Sequence, residues 1–179
     1  MKNIFLSLFL AGLVLQGCDH AKDVVNATGP GAADAAGAQQ QNAAAEKDAN
    51  GALSLANILV RPGSNDSVLL SVEIAKTDDE KAVGLQGRGD IPDKHGMWFV
   101  FDNDVQDPFW MKDTEISLDI IFVGSDYKIV DIIPNAVPNS EALLTPKQKY
   151  RYALEVKAGT AAKYNIKIGD LLEYRLGPQ

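Results

Sequence analysis

Apolar residues follow two different patterns before and after residue 53. From Leu53 onwards, short apolar runs rich in β-branched residues alternate with clusters of Gly, Pro, Asn and Asp. Short runs separated by such turn residues are typical of an all-β sandwich or barrel. Residues 19–52 instead consist largely of Ala, Gly, Asn, Gln and Asp and contain no aromatic ring of Phe, Trp or Tyr. We therefore predict one mainly β domain over residues 53–179.

Seven segments of this domain have the pattern of strands. In Val68–Ala75 the apolar residues Leu70, Val72 and Ile74 share one face, which predicts a strand with that face buried. The other predicted strands are residues 97–101, 108–112, 117–123, 127–133, 151–156 and 171–176. Residues 124–126 (GSD) separate two of these strands and have the turn chemistry of a hairpin.

Two short helices and one long loop complete the predicted domain. Thr77 and Glu80 have the spacing of a capping box, and the helix they begin is predicted to end at Gly84. Residues 160–164 are predicted to form a second short helix. Residues 134–149 contain three prolines and no periodicity, so we predict a long surface loop there. Long loops in compact domains are often functional.

The first 17 residues have the composition of a secretory signal. Lys2 supplies the positive start, and the apolar run over residues 4–14 is too short to span a bilayer. Residues 15–18 (LQGC) resemble the lipobox of bacterial lipoproteins, in which the cysteine is acylated and becomes the mature N-terminus, although Gln16 stands where a smaller residue is usual. The alternative is an ordinary signal that leaves a free thiol. Cys18 is the only cysteine, and a lone exposed thiol is a liability in an oxidising compartment, so we favour lipidation.

Lipidation of Cys18 would hold the protein at a membrane without a transmembrane helix, because a diacylglyceride with an amide-linked chain is sufficient for stable anchoring. Residues 18–52 would then be the lipidated cysteine and a flexible tether, since such a composition cannot bury enough surface to order itself. Its random-coil reach is roughly 30 Å. We expect a location in the cell envelope, facing the periplasm, and Asp19 resembles the inner-membrane retention signal of enteric bacteria.

Charge and motif content narrow the possible partners. The formal net charge is −7, and removal of Lys2 with the signal makes it more negative, so we expect no nucleic-acid partner. The chain contains no nucleophile elbow, phosphate-binding Gly loop or dinucleotide fingerprint, and we expect no cofactor. We also expect no metal, because the acidic run at residues 102–104 lacks the Gly and Glu of a calcium loop and the two histidines form no zinc set.

Four residues are candidates for a functional cleft. Alternation along the predicted strand 108–112 places Trp110 and Lys112 on one face, and a face that carries lysine is not core. Asp119 and Glu155 each interrupt a strand that is otherwise apolar, and a buried charge needs a partner.

Two interpretations of these four residues stay open. In the first, they meet at one cleft. There Trp110 stacks on a polar ligand that the charged side chains bind, or Asp119 and Glu155 act as acid and base on a glycosidic bond. In the second, Lys112 or Arg88 neutralises a buried carboxylate, and the ion pair is purely structural.

Four sequence fragments, in this order and spacing, resemble the DUF192 family of uncharacterised domains. They are residues 72–85 (VEIAKTDDEKAVGL), 96–101 (GMWFVF), 109–116 (FWMKDTEI) and 152–159 (YALEVKAG). The resemblance covers about residues 55–176 and implies a mainly β, jelly-roll-like sandwich or barrel with one or two short helices. It implies no established activity.

This chain departs from the family pattern at four places. Residues 84–88 (GLQGR) stand where the family usually reads Gly-Leu-Met-x-Arg, Asp113 replaces a usual Asn, Ser117 a usual Pro, and Lys157 a usual Asn. A family role that depended on those side chains would therefore be altered here.

Our first hypothesis is a non-catalytic binding or accessory module of the cell envelope for a small polar ligand or an envelope protein. Its binding residues would be Trp110, Lys112, Arg88 and, in the 134–149 loop, Glu141. The alternative is a hydrolase-like enzyme that acts on an envelope saccharide through Asp119 and Glu155. A purely structural role is the third possibility.

Overall fold

The computed structural model describes residues 52–63 and 66–176, so the predicted signal, Cys18 and residues 19–51 of the predicted tether lie outside the described residues. The described residues form seven strands and two short helices. The strands are β1 (Leu55–Arg61), β2 (Val68–Ala75), β3 (His95–Val105), β4 (Leu118–Val123), β5 (Ile129–Ala136), β6 (Tyr150–Lys157) and β7 (Leu171–Leu176), and the helices are α1 (Asp78–Val83) and α2 (Thr160–Lys163).

The strands form one curled sheet in the order β5-β4-β6-β3-β2-β1-β7. All neighbours are antiparallel except β2 and β3, which are parallel and are connected through α1. A bridge between Lys128 and Leu171 brings the β5 and β7 ends of the sheet together. The sheet is therefore a half-barrel, and the predicted mainly β fold with two short helices is confirmed.

Apolar side chains cover both faces of this sheet. The inner cluster contains residues from all seven strands, including Ile58, Leu70, Trp98 and Leu172, as the inside of a curled sheet requires. The outer cluster is centred on β3, β4 and β6, with Ala75 at the end of β2 and Ala136 at the end of β5. Because β4 and β6 lie in the middle of the covered region, every residue of β4 is buried and its sequence is apolar on both faces except at Asp119.

The predicted capping box is present at the start of α1. The Glu80 N–H donates to Thr77 Oγ1 at 3.2 Å, and the Thr77 N–H donates to Glu80 Oε2 at 2.9 Å. The helix is capped at its end by Gly84, whose φ of +51° favours glycine. No residue of α1 is buried, so this helix lies on the surface.

Two sequence predictions need correction, and one strand was missed. Residues 108–112 are not a strand, because only Phe109 forms a bridge there, with Leu144. The predicted loop 134–149 begins only after Ala136, since β5 continues through Pro134; β5 ends the strand order, and an edge strand tolerates a residue without an N–H. The sequence also did not single out β1 as a strand.

Candidate functional site

A cavity of about 220 Å³ opens on the outer side of the sheet. Its walls come from α1 and the residues after it, from the segment that connects β3 to β4, and from β3 and β6. Several lining residues are aromatic, and a few polar side chains converge on the same space. This combination is typical of small-molecule binding sites. The lining residues are Lys81, Ala82, Val83, Gly84, Leu85, Gln86, Phe99, Phe101, Asp107, Pro108, Phe109, Trp110, Thr114, Tyr150 and Glu155.

Glu155 is the buried acidic residue of this cavity. It lies on β6 opposite Met97 of β3 and Ile120 of β4, which are both fully buried. Glu155 is itself only 6% exposed. No described residue forms a hydrogen bond or an ion pair with its side chain. Burial raises the pKa of Glu155 to about 8. The carboxyl group is therefore mostly protonated at neutral pH.

The other two buried carboxylates of the described chain, by contrast, accept hydrogen bonds from backbone N–H groups. Asp119 accepts the N–H groups of Asn135 and Ala161, each at 2.9 Å. Asp131 accepts the N–H groups of Ile132 at 3.0 Å and Lys147 at 2.8 Å. Buried polar groups are normally hydrogen-bonded in this way.

Glu155 keeps contact with solvent in spite of its burial. Within the part of the chain that the structure describes, every side-chain nitrogen or oxygen sealed from solvent has a hydrogen-bond partner. The Glu155 oxygens have no such partner, so they are not sealed, and the cavity is their route to solvent.

The two carboxylates predicted to share a cleft are not brought together. Asp119 is paired across β4 and β6 with Val156, whereas Glu155 is paired with Ile120. Successive side chains of a strand point to opposite faces, so Asp119 lies on the inner side of the sheet and Glu155 on the outer side. Asp119 does not line the cavity.

The basic residues expected to neutralise a buried acid have other partners. Arg88 donates to both oxygens of Glu73, at 2.5 and 2.6 Å. The Lys112 ammonium lies 5.4 Å from the centroid of the Trp110 ring. Neither residue pairs with Asp119 or Glu155, so the predicted structural ion pair with a buried carboxylate is not formed.

Trp110 and Lys112 do lie together, as their spacing predicted. Trp110 is 46% exposed and forms part of the cavity rim, while Met111 is buried on the other side of the segment. The alternation of side chains thus holds although the segment is not a strand. Lys112 itself is not a lining residue.

The aromatic wall of the cavity is a connected cluster. Phe109 makes edge contacts with Phe99 at 5.3 Å and with Phe122 at 5.5 Å between ring centroids. Tyr150 packs against Phe122 at 4.9 Å and against Phe101 at 5.2 Å, and its hydroxyl donates to the Asp107 carbonyl oxygen at 2.9 Å. Because these rings hold one another, the wall is preformed.

The loop after β5 supports the cavity from outside and does not line it. The Phe109 and Leu144 backbones exchange hydrogen bonds of 3.0 and 2.8 Å, and the Met111 N–H donates to the Ser140 carbonyl oxygen at 2.9 Å. These bonds hold the segment that carries Phe109 and Trp110. Glu141, a predicted binding residue, is exposed and lies outside the cavity, as does Arg88.

Sequence reasoning missed the α1 side of the site. Lys81 extends over the Phe101 ring at 4.9 Å and forms an ion pair of 3.1 Å with Asp78. Gln86 is anchored by donation to the Ala82 carbonyl oxygen at 2.9 Å. The sequence did carry one indication of this wall: residues 84–88 depart from the family pattern, with Gln86 in place of a usual Met.

Residues 52–63 and 66–176 contain no group of three or more His, Cys, Asp or Glu side chains placed to hold a metal ion. No helix in those same two stretches combines the length and the apolar character needed to cross a membrane.

Comparison with known proteins places the domain in a family. The DUF192 profile, described as Uncharacterized ACR, matches residues 59–174, well over half of the chain. A crystal structure of a protein of unknown function from Novosphingobium aromaticivorans is 35% identical, with a TM-score of 0.66; the match covers 74% of this chain and 94% of that one. A "putative transcription regulator" from Sinorhizobium meliloti is 34% identical, also with a TM-score of 0.66, over 68% of this chain and 94% of that one. No curated protein matches. The chain therefore belongs to the DUF192 family.

Proposed function

We propose that this protein is a ligand-binding module of the bacterial cell envelope, and that it holds a small molecule in the Glu155 cavity. One observation carries the proposal: the Glu155 carboxyl is buried in an aromatic-walled cavity and has no partner among the described residues. A buried acid without a protein partner is costly to ionise, and acids with shifted pKa values concentrate at functional sites. A ligand that pairs with Glu155 would remove that cost.

The position of the polar groups supports binding rather than a purely structural role. Asp119 and Asp131 are buried too, but backbone N–H groups satisfy both. Thr114 and Gln86 are further polar residues that line the cavity with Glu155. Trp110 at the rim supplies an exposed ring on which a ligand can stack.

The envelope location is the second part of this proposal, and it is supported by the sequence alone. A lipid on Cys18 anchors the protein to a membrane, the 18–52 tether holds the domain away from it, and Asp19 favours the inner membrane. Mass spectrometry of the protein from its native host tests this: we expect an N-terminal triacylated cysteine, and an unmodified Cys18 or a different first residue would contradict it.

We carry over no nucleic-acid role from the regulator of Sinorhizobium meliloti. The net charge of −7 does not favour binding to phosphate backbones, and the candidate site is an aromatic cavity with a carboxyl group.

A ligand screen tests the binding function. The full-length protein in detergent micelles is screened by saturation-transfer NMR against cell-wall fragments, sugars and small organic ions. We expect ligands whose signal disappears in Glu155→Leu, falls in Trp110→Ala and persists in Glu115→Gln, which alters an exposed glutamate outside the cavity. If no compound distinguishes Glu155→Leu from the wild type, the cavity is not the binding site.

Acid catalysis is a second candidate function, favoured by the raised pKa of Glu155. A carboxylic acid that is protonated at neutral pH can serve as a general acid. Asp107, which also lines the cavity, would be the second carboxylate in place of the predicted Asp119. Glu155→Gln separates the two functions, because an amide can hydrogen-bond to a neutral substrate but cannot transfer the proton.

A further inference from the structure

We infer that the ligand of the Glu155 cavity is a small soluble organic cation, such as an alkylammonium ion, whose charged nitrogen pairs with the Glu155 carboxylate between the aromatic walls. This inference rests on the proposed binding function and deepens it by naming the chemistry of the ligand. Three features of the cavity support it: Glu155 has no cationic partner among the described residues, the walls are aromatic, and the volume is small.

No described residue supplies a cation to Glu155. Lys81 is the basic residue that lines the cavity, and its ammonium is bound to Asp78 and to the Phe101 ring. The Arg88 guanidinium is used by Glu73. A cationic ligand would therefore be the first opposite charge to reach the Glu155 carboxyl, in a place where water screens it little.

The walls have the chemistry that suits an organic cation. Phe99, Phe109 and Tyr150 line the cavity around Glu155, and the faces of aromatic rings attract ammonium groups that have left water. Two rim rings already do so in this protein: Phe101 holds the Lys81 ammonium at 4.9 Å and Trp110 holds the Lys112 ammonium at 5.4 Å. No lysine or arginine of the described chain lies over Phe99, Phe109 or Tyr150 within the same distance range.

The cavity is suited to a small ion and not to a polymer segment. Its 220 Å³ corresponds to the volume of roughly seven water molecules at ~30 Å³ each. A short alkylammonium fits that volume with its nitrogen at Glu155 and its carbon chain toward Trp110. A neutral ligand of the same shape would pair with the protonated acid only, whereas an ammonium ion pairs with the ionised carboxylate.

Glu155 is the buried acid among the titratable groups of the cavity. The neighbouring strands present Met97 and Phe99 of β3 and Ile120 of β4, which do not titrate. The titratable groups that line the cavity are Lys81, paired with Asp78, Asp107, and Tyr150, whose pKa is raised by burial. Glu73 shares the outer face two strands away, roughly 10 Å from Glu155, and is neutralised by Arg88.

Binding of a cation should consequently depend on pH in a definite direction. Because the pKa of the free Glu155 is about 8, the acid must lose its proton when an ammonium ion binds at lower pH. Affinity should then rise by roughly 20-fold between pH 6.0 and pH 7.5, with release of about one proton per ligand at pH 6.0. A neutral ligand that accepts a hydrogen bond from the protonated acid would show the opposite trend.

The test compares charged and neutral probes of the same shape. The full-length protein in detergent micelles is titrated with n-butylammonium, benzylammonium, 1-butanol and benzyl alcohol by ligand-observed NMR at millimolar concentrations, at pH 6.0 and 7.5. We expect the two ammonium ions to bind and to gain affinity with pH, the alcohols to bind at least 10-fold more weakly, and Glu155→Gln to lose the preference for charge. Glu115→Gln should behave as the wild type.

Two results would overturn the inference. Equal or tighter binding of the alcohols, lost in Trp110→Ala, would show a ligand site that does not select cations, and the proposed binding function would stand without this inference. The ammonium ions could also fail to bind at 10 mM while other compounds of the ligand screen show Glu155-dependent binding. That result would likewise contradict the cation inference and leave the proposed binding function standing. If the screen also finds no Glu155-dependent ligand, the proposed function itself fails.

Discussion

Glu155 and Asp119 lie on the neighbouring strands β6 and β4, one register position apart, and point to opposite faces of the sheet. Asp119 is fully satisfied by two backbone N–H groups, whereas Glu155 opens into a cavity without a partner among the described residues. The same residue chemistry therefore has a structural role on one face and a candidate functional role on the other.

The pH dependence of stability should report the burial of Glu155. Its pKa rises on folding from about 4.5 to about 8, so folding favours the protonated acid. The contribution is fully present below about pH 4.5. It is lost progressively up to about pH 8, because over this range the unfolded chain ionises the acid while the folded protein keeps it protonated. The free energy of unfolding should fall by on the order of 4 kcal/mol between pH 5 and pH 8.5.

Urea unfolding of the wild type and Glu155→Gln across this pH range measures that slope. The variant stays neutral and should lose most of the dependence. The carboxylates whose pKa is lowered by ion pairs, such as Asp90 and Glu173, act at lower pH and do not mask the effect. An unchanged slope in Glu155→Gln would contradict the assignment.

Asp119→Asn should destabilise the fold without changing the cavity. The amide retains one oxygen for two N–H donors and introduces an NH₂ group into a buried site, so we expect a loss of about 1–3 kcal/mol. Urea unfolding measures the loss, and ligand affinity of the fraction that is folded should stay at the wild-type value. A variant of normal stability that no longer binds ligand would place Asp119 in the functional site after all.

Gly96 fixes the approach of β3 to the strand that carries Glu155. A Cβ atom at Gly96 would lie 2.1 Å from the Glu155 carbonyl oxygen and 2.9 Å from Val156 Cγ1. Gly96→Ala should therefore cost about 3 kcal/mol or prevent folding.

Gly89→Ala is the matched control, because a Cβ atom there meets nothing within 4 Å. Thermal unfolding of both variants gives the comparison, and equal midpoints would show that the strands do not pack this closely.

Trp110→Ala should affect binding more than stability. The ring is 46% exposed and contacts the Lys112 ammonium, so its removal should change the free energy of unfolding by less than about 1 kcal/mol. Loss of a stacking and cation-binding ring should weaken an ammonium ligand about 10-fold. Lys76→Ala, which removes a lysine that does not line the cavity, serves as a control. A Trp110 variant with wild-type affinity would remove the rim from the site.

Local features of the fold could be predicted from the sequence because each rests on neighbouring residues. The limits of β2 and β7, the capping box of Thr77 and Glu80, and the hairpin between β4 and β5 match the structure. The shared face of Trp110 and Lys112 was also predicted, because side-chain alternation persists in an extended segment that pairs only once.

The composition of the site could not be predicted, because it depends on how segments distant in the sequence pair and pack. Whether Asp119 and Glu155 share a face is decided by how β4 pairs with β6, and a one-residue change of register would reverse the answer. The partner of Arg88 is Glu73 of β2, whereas Arg88 itself lies in the segment between α1 and β3. The cavity wall formed by Lys81 and Gln86 depends on where α1 packs, and α1 has no buried residue that would indicate this face.

The most direct test of a buried, unpaired acid in a ligand cavity is a ¹³C NMR titration of the Glu155 carboxyl carbon in the full-length protein, assigned by its absence in Glu155→Gln. We predict a midpoint near pH 8, which moves to lower pH when n-butylammonium is added. A midpoint between 4 and 5 that ammonium ions leave unchanged would show a solvated or already neutralised carboxylate and contradict this account.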